Sequence, residues 1–346
     1  QIPQHHKLAN LTVKTSNLCS EITLPTGIDK NGRDRTAVCC LSSLNLEKYD
    51  EWKDDNVMIN DVMRFLDNVL TDFIERAPEQ FDDAKYSAEK ERSVGLGVMG
   101  FHSYLQKHSI PLESVMSKAW NKKIFKHIQE HVDQASKDLA DERGACPDAA
   151  DYGYNERFSN KTAIAPTASI SIICGGASPG VEPVAANSYT HKTLSGSFNV
   201  RNRYLVELLE KHGKNTDDVW SGITTNQGSV SHLDFLTDLE KDVFKTAFEL
   251  DQKWIIELSG DRTPYISQAQ SINLFVPADI HKRELHKIHF DAWKKGLKSL
   301  YYCRSKSIQR AENVNDTKAI DVNANVYKSK PQTTEQPEYE ECLSCQ

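Results

Sequence analysis

Several things are scarce in this chain of 346 residues, and each scarcity excludes a class. No apolar run approaches the ~18 residues that a membrane-spanning helix needs, and mean hydropathy is −0.57. Nothing near Gln1 resembles the apolar core of a secretory signal. Basic residues are not in excess: 42 Lys and Arg face 49 Asp and Glu, a net charge of −7. That balance argues against a protein that lives on nucleic acid. Glycine (16) and proline (12) are too few for collagen-like or low-complexity chains. The first residue is not Met, so a fragment, a processed product or one piece of a split protein is expected.

What is present is an ordinary soluble composition, 38% hydrophobic and 26% charged. The length suits a large α/β barrel or two domains. Eight cysteines occur, and without a secretory signal they should be reduced, as in a cytoplasmic protein. Thiols of that kind are reactive, metal-binding or simply buried.

Periodicity divides the chain. Gly27, Asn31 and Gly32 mark a hairpin or loop, and Thr36–Leu41 reads as a buried strand. Val62, Phe65, Leu66, Val69, Leu70, Phe73 and Ile74 fall on one face of a helix over 56–77, stopped by Pro78. Helices are also expected over Ser93–His108, Leu112–Arg143, Arg203–His212, Leu236–Leu258 and Ile280–Gly296. Ser271–Val276 and Leu297–Cys303 read as strands, and Thr162–Gly180 as a strand end followed by a loop. Alternating strands and helices give an α/β fold. Beyond about Arg310 the chain is polar, and 311–346 is expected to be a mobile tail.

Five groups of residues could carry chemistry. In an extended segment Asn17, Cys19 and Glu21 share one side, an amide, a thiol and a carboxylate facing one space. Cys342 and Cys345 form a CxxC pair, too few ligands for zinc but enough for thiol–disulfide exchange. Tyr301 and Tyr302 are adjacent aromatics. Small and hydroxyl residues at Thr167, Ala168, Ser169, Ile170 and Ser171 suit anion binding by backbone amides. Cys39 and Cys40 are neighbours whose default is burial. Each group alone has a bland reading, as a turn, a core pair or a plain loop.

Together they do not. SNLCSEITLPT, CCLSSLNL, IAPTASIS, GVEPVAANSYTHKTLSGSF, GLKSLYY and ECLSC occur in one order. That order resembles the C-terminal half of the large, catalytic subunit of class I ribonucleotide reductase. The resemblance implies part of a ten-stranded α/β barrel over 1–310, with a central finger loop at about 15–24, and the tail beyond. It implies that Cys19 carries a thiyl radical, that Glu21 takes the substrate's 3′-hydroxyl proton, and that Asn17 holds the ribose hydroxyls. Cys39 matches one of two reducing thiols, with Cys40 an extra neighbour; the other thiol has no match here. Tyr301 and Tyr302 match a radical relay, Cys342 and Cys345 a redox tail, and Thr167–Ser171 the diphosphate loop.

The implied partners are a ribonucleoside diphosphate, the N-terminal half of the large subunit, a small radical-generating subunit, and thioredoxin or glutaredoxin. No cofactor is expected on this chain, since the metal–radical cofactor would sit in the small subunit. Without the N-terminal half no turnover is expected. The rival readings are a cobalamin-dependent reductase fragment, a catalytically incomplete assembly module, and a small thiol oxidoreductase or zinc protein.

Overall fold

The computed structural model describes residues 2–193 and 196–306. Its centre is a run of parallel strand segments. Strand β3 (Cys40–Asn45) follows a short antiparallel hairpin, β1 (Gly27–Ile28) and β2 (Asp34–Arg35). It pairs in parallel with β4 (Val94–Met99), Cys40 opposite Val94 and Asn45 opposite Met99. The sheet continues through single parallel bridges from Leu96 to Thr162 and from Ile164 to Gln270. Backbone bonds carry it on, Gln268 N–H to Thr162 O at 3.0 Å and Tyr301 N–H to Ile272 O at 2.8 Å. It closes with β7 (Leu274–Pro277) parallel to β8 (Cys303–Lys306). A separate antiparallel hairpin joins β5 (Ser188–Thr193) to β6 (Gly196–Arg201). Five parallel segments joined by helical connections are what a barrel half requires.

The segment Ser93–His108 corrects the sequence reading. It is not one helix but buried strand β4 followed by a helix over Phe101–Lys107. The glycines decide this. A Cβ on Gly97 would lie 2.4 Å from Ala163 O, and one on Gly95 would lie 2.4 Å from Leu41 Cδ2. They allow close approach of the neighbouring segments rather than a helix face. The expected strand at Thr36–Leu41 begins only at Cys40, and Tyr301-Tyr302 precede β8 rather than lying within it.

The helix Met58–Arg76 ends at Ala77, whose extended backbone suits the residue before Pro78. Its buried face is Ile59, Met63, Leu66 and Leu70, while Phe65 and Val69 are exposed. The helix Val115–Arg143 is continuous, with Ser114 accepting from Ser117 N–H at its start and Gly144 at its end. Its Ile124, Phe125, Ile128, Val132, Ala135 and Leu139 pack into the same core as β3 and β4. Each of its large aliphatic or aromatic side chains contributes about 1.5–3 kcal/mol by leaving water.

Leu236–Leu258 is two helices, Asp238–Val243 and Gln252–Arg262. Thr237 and Asp251 each accept a bond from the first turn that follows, so each starts a helix. The first of these helices, with Arg203–Lys211 and Asp217–Thr225, supports a smaller cluster around Leu205, Leu209, Trp220 and Phe244.

Candidate active site

The segment around Cys19 is a turn, not the extended stretch that strict alternation requires. Asn17 N–H bonds Ile22 O at 3.3 Å, and Asn17 Oδ1 accepts from Ile22 N–H at 3.1 Å. Ser20 N–H bonds Asn17 O at 3.2 Å, and Ser20 sits at φ 70°. Turn and bond together expose Leu18 (69%) and bury Glu21 (2%), with Cys19 between these extremes. Asn17 and Glu21 interact through their side chains. The Asn17 side chain therefore does structural work as well as lying beside the carboxylate.

Four bonds hold this turn against the strand segments. Ser271 Oγ donates to Cys19 O and Ser299 Oγ to Ser20 O, both at 2.7 Å. Ala269 N–H donates to Glu21 O at 2.9 Å, and Gln268 Oε1 accepts from Thr23 N–H at 3.1 Å. The sequence reading missed Gln268, Ser271 and Ser299. Their signal was available: Gln268, Gln270 and Ser271 are polar side chains at the entry to an apolar strand, and buried polar groups need partners.

Burial pushes the Glu21 carboxyl up, opposed by its own backbone N–H and by Asn17. Its Oε2 is buried without a protein partner. A carboxylate held above its ordinary range is better matched to proton transfer near neutrality. Cys39 and Cys40 are not equivalent. Burial pushes the Cys39 thiol up to about 12, Gln268 opposes that, and the Glu21 charge adds to it. Cys40 packs against the main core and feels Arg92 instead. Cys39 is thus the member of the pair electrostatically coupled to the Cys19 turn.

Tyr301 and Tyr302 meet with ring centroids 3.9 Å apart at 37°. Asn273 Oδ1 accepts from Tyr302 N–H at 3.0 Å. Burial first, then the Tyr302 hydroxyl and the Cys19 thiol, push the Tyr301 phenol well above its usual range. The Tyr301 hydroxyl is buried without a protein hydrogen-bond partner and lies near enough to Cys19 for the thiol to act on it, while Tyr302 is 44% exposed. The Arg304 guanidinium stands 5.3 Å from the Tyr302 ring centre. Beneath them Glu182 accepts from Asn273 N–H at 3.2 Å, and burial pushes its carboxyl up to about 7.

Thr167 to Ser171 is a turn and a short helix, Ala168–Ile173, at the end of a parallel segment. The plain-loop expectation gives way because Thr167, at φ 57°, closes the strand exit and its Oγ1 accepts from Gly180 N–H at 2.7 Å. The amides of Ala168, Ser169 and Ile170 precede any intrahelical carbonyl partner. Ser169 and Ile170 are exposed, whereas Ser171 is buried and its hydroxyl donates to Ala168 O at 3.2 Å. Cys342 and Cys345 lie outside the described residues. Among the described residues no helix is long and apolar enough to cross a membrane, and no cluster of three His, Cys, Asp or Glu could hold a metal.

Comparison with known proteins follows the same residues. A family model described as "Ribonucleotide reductase, barrel domain" matches 2–156 and 147–303. The "Ribonucleoside-diphosphate reductase large subunit" of Invertebrate iridescent virus 6 is 51% identical over 306 residues, 87% of this chain and 31% of that protein. Its counterpart in Invertebrate iridescent virus 3 is 45% identical over 91% of this chain and 50% of its own length. A solved class Id ribonucleotide reductase alpha subunit from Actinobacillus ureae superposes with a TM-score of 0.81 at 39% identity, covering 91% of this chain and 57% of that one. The chain thus spans roughly a third to a half of the curated relatives it matches.

Proposed function

The chain belongs to the ribonucleotide reductase barrel-domain family, and from that premise we propose that it supplies the radical half of a class I catalytic subunit. The reaction is reduction of ribonucleoside diphosphates to 2′-deoxyribonucleoside diphosphates, which serve DNA synthesis. The geometry that carries this reading is the Tyr301–Tyr302 pair, ring centroids 3.9 Å apart, with Cys19 among the groups that raise the Tyr301 phenol.

The roles follow from the chemistry of each group. An oxidising equivalent from a separate small subunit passes through Tyr302 and Tyr301 to Cys19. The Cys19 thiyl takes the 3′-hydrogen atom of the ribose, and Glu21 takes the 3′-hydroxyl proton. Asn17 holds the ribose hydroxyls. The 2′-hydroxyl leaves as water, two thiols close to a disulfide, supplying two electrons and two protons, and Cys19 then returns the hydrogen atom to C3′ and regains its thiyl. Cys39 is one of those thiols; the other would come from the portion of the relatives that this chain does not span. The Cys342–Cys345 pair re-reduces that disulfide by exchange and is itself reduced by thioredoxin or glutaredoxin. The amides of Ala168–Ile170, with Thr167, Ser169 and Ser171 around them, bind the diphosphate. Residues 1–310 act as the barrel part and 311–346 as the redox tail.

The cobalamin-dependent reading has no use for a tyrosine pair beside Cys19, and that pair favours class I. The test is deoxynucleotide formation by this chain with a class I small subunit, a nucleoside diphosphate and a dithiol. It is run with and without a polypeptide covering the unmatched portion of the relatives. Product in the combined sample, lost in Cys19→Ser, supports the reading. No product from a well-formed complex would make the chain an incomplete assembly module.

A further inference from the structure

Gln268 is 2% exposed and touches two of the elements that the site depends on. Its Oε1 accepts from Thr23 N–H at 3.1 Å, on the segment leaving the Cys19 turn. Its Nε2 donates to Val94 O at 3.1 Å and to Cys39 Sγ at 3.2 Å. Its backbone N–H completes the link to Thr162 O at 3.0 Å. Amide orientation is often ambiguous, because oxygen and nitrogen look alike. Here it is not. A flipped amide would set oxygen against the Val94 carbonyl and N–H against the Thr23 N–H, two repulsive contacts. The side chain therefore presents an N–H to the Cys39 sulfur.

We propose that Gln268 is a positioning residue for the reducing thiol: it fixes the Cys39 sulfur in register with the Cys19 turn and stabilises the thiolate by N–H donation. The inference rests on the reading of Cys39 as a reducing thiol. The physical need is plain from the surroundings. Cys39 is half-buried, its neighbours Glu21 and Glu91 are acidic, and both oppose a negative sulfur. Of the groups acting on it, the Gln268 amide is the one that favours the thiolate. Disulfide chemistry runs through thiolates, so a donor here assists every passage of Cys39 between thiol and disulfide. The same side chain anchors Thr23, so sulfur and turn cannot shift independently.

The test is the iodoacetamide alkylation rate of Cys39 in the full chain at pH 8, read by mass spectrometry, with Cys40 as internal reference. Two variants are compared with the parent. Gln268→Met keeps the length and removes all polar contacts. Gln268→Glu keeps the acceptor for Thr23 N–H, removes the donor to sulfur and adds a carboxylate charge beside it, so it sets the upper bound of the effect. Loss of a hydrogen bond to a charged sulfur lowers the thiolate fraction, and the Cys39 rate falls about tenfold while Cys40 is unchanged. A purely structural role predicts the opposite sign, because loosened packing admits reagent and speeds alkylation. A Cys39 rate that is unchanged or faster in folded Gln268→Met overturns the proposal. Should Gln268→Met unfold, seen as Cys40 accelerating with Cys39, an unchanged or faster Cys39 rate in folded Gln268→Glu still overturns the proposal. Failure of the underlying reading is seen separately, as product formation that survives Cys39→Ser in the reconstituted reductase assay.

Discussion

Asp67 and Glu21 are almost equally buried, at 0% and 2% exposure, yet they are held in opposite ways. Asp67 lies between the long helices and meets three guanidinium groups. Arg92 Nε, Arg143 Nη1 and Arg157 Nε each approach it to 2.9 Å. Burial raises its pKa, and the arginines more than reverse that. Glu21 meets amides only, keeps one oxygen without a protein partner, and is pushed up. Glu182, beneath the tyrosine pair, is also pushed up. The first arrangement locks a charge in place. The second leaves a carboxyl free to gain or lose a proton, at a cost in stability that the arginine-clamped region can offset.

The contrast can be broken at four points. The largest effect is expected at the site itself. Glu21→Gln should keep the fold, leave stability near neutrality equal to or above the parent's, and reduce deoxynucleotide formation to background in the reconstituted assay. Retained turnover would remove the proton-transfer role. Next in size is Asp67→Asn. Removing one partner of a buried ion cluster costs about 3–5 kcal/mol, measurable by urea unfolding. Since its folded pKa is depressed, the stability Asp67 provides is present above the ordinary carboxylate range and is lost as pH falls. The difference between parent and variant should therefore shrink in acid.

Glu182 should show the reverse sign. Its folded pKa of about 7 exceeds the unfolded value of 4.5. The parent is then penalised as pH rises from about 4.5 to 7, and the penalty stays above that. Glu182→Gln should stabilise by about 2–3 kcal/mol at pH 8 and have little effect at pH 4.5. Equal effects at both pH values would contradict the assignment. The smallest effect belongs to the exposed Arg64–Glu142 pair, whose closest contacts are 2.7 Å. Glu142→Gln should leave the melting curve unmoved within scatter, because water and salt already screen that charge.

How much of this was legible in the sequence depends on what sets each feature. The helix Met58–Arg76 and its end before Pro78 follow from local periodicity and were readable. The buried charge of Asp67 was not, because the partners that justify it stand 25, 76 and 90 residues away. Strand β4 was misread because Gly95 and Gly97 answer to neighbours across the sheet rather than to their own segment. The same holds at the site. The residue types Asn17, Cys19 and Glu21 could be singled out by their chemistry, and their order with the other motifs carried the family resemblance. The reason they converge could not be read, because it lies in a five-residue turn pinned by Ser271 and Ser299. The nearness of Tyr301 to Cys19 joins residues 282 positions apart, beyond any local pattern.

A radical path from the tyrosine pair to Cys19 is the central claim, and Tyr301→Phe tests it most directly. The variant keeps the ring that stacks on Tyr302 and removes only the phenolic hydroxyl beside Cys19. Deoxynucleotide formation would be measured in the combined sample of this chain, the complementary polypeptide and a class I small subunit. The account predicts an assembled complex, an unchanged melting curve and product at background. Full activity in Tyr301→Phe would contradict it, since the radical would then reach Cys19 by another path.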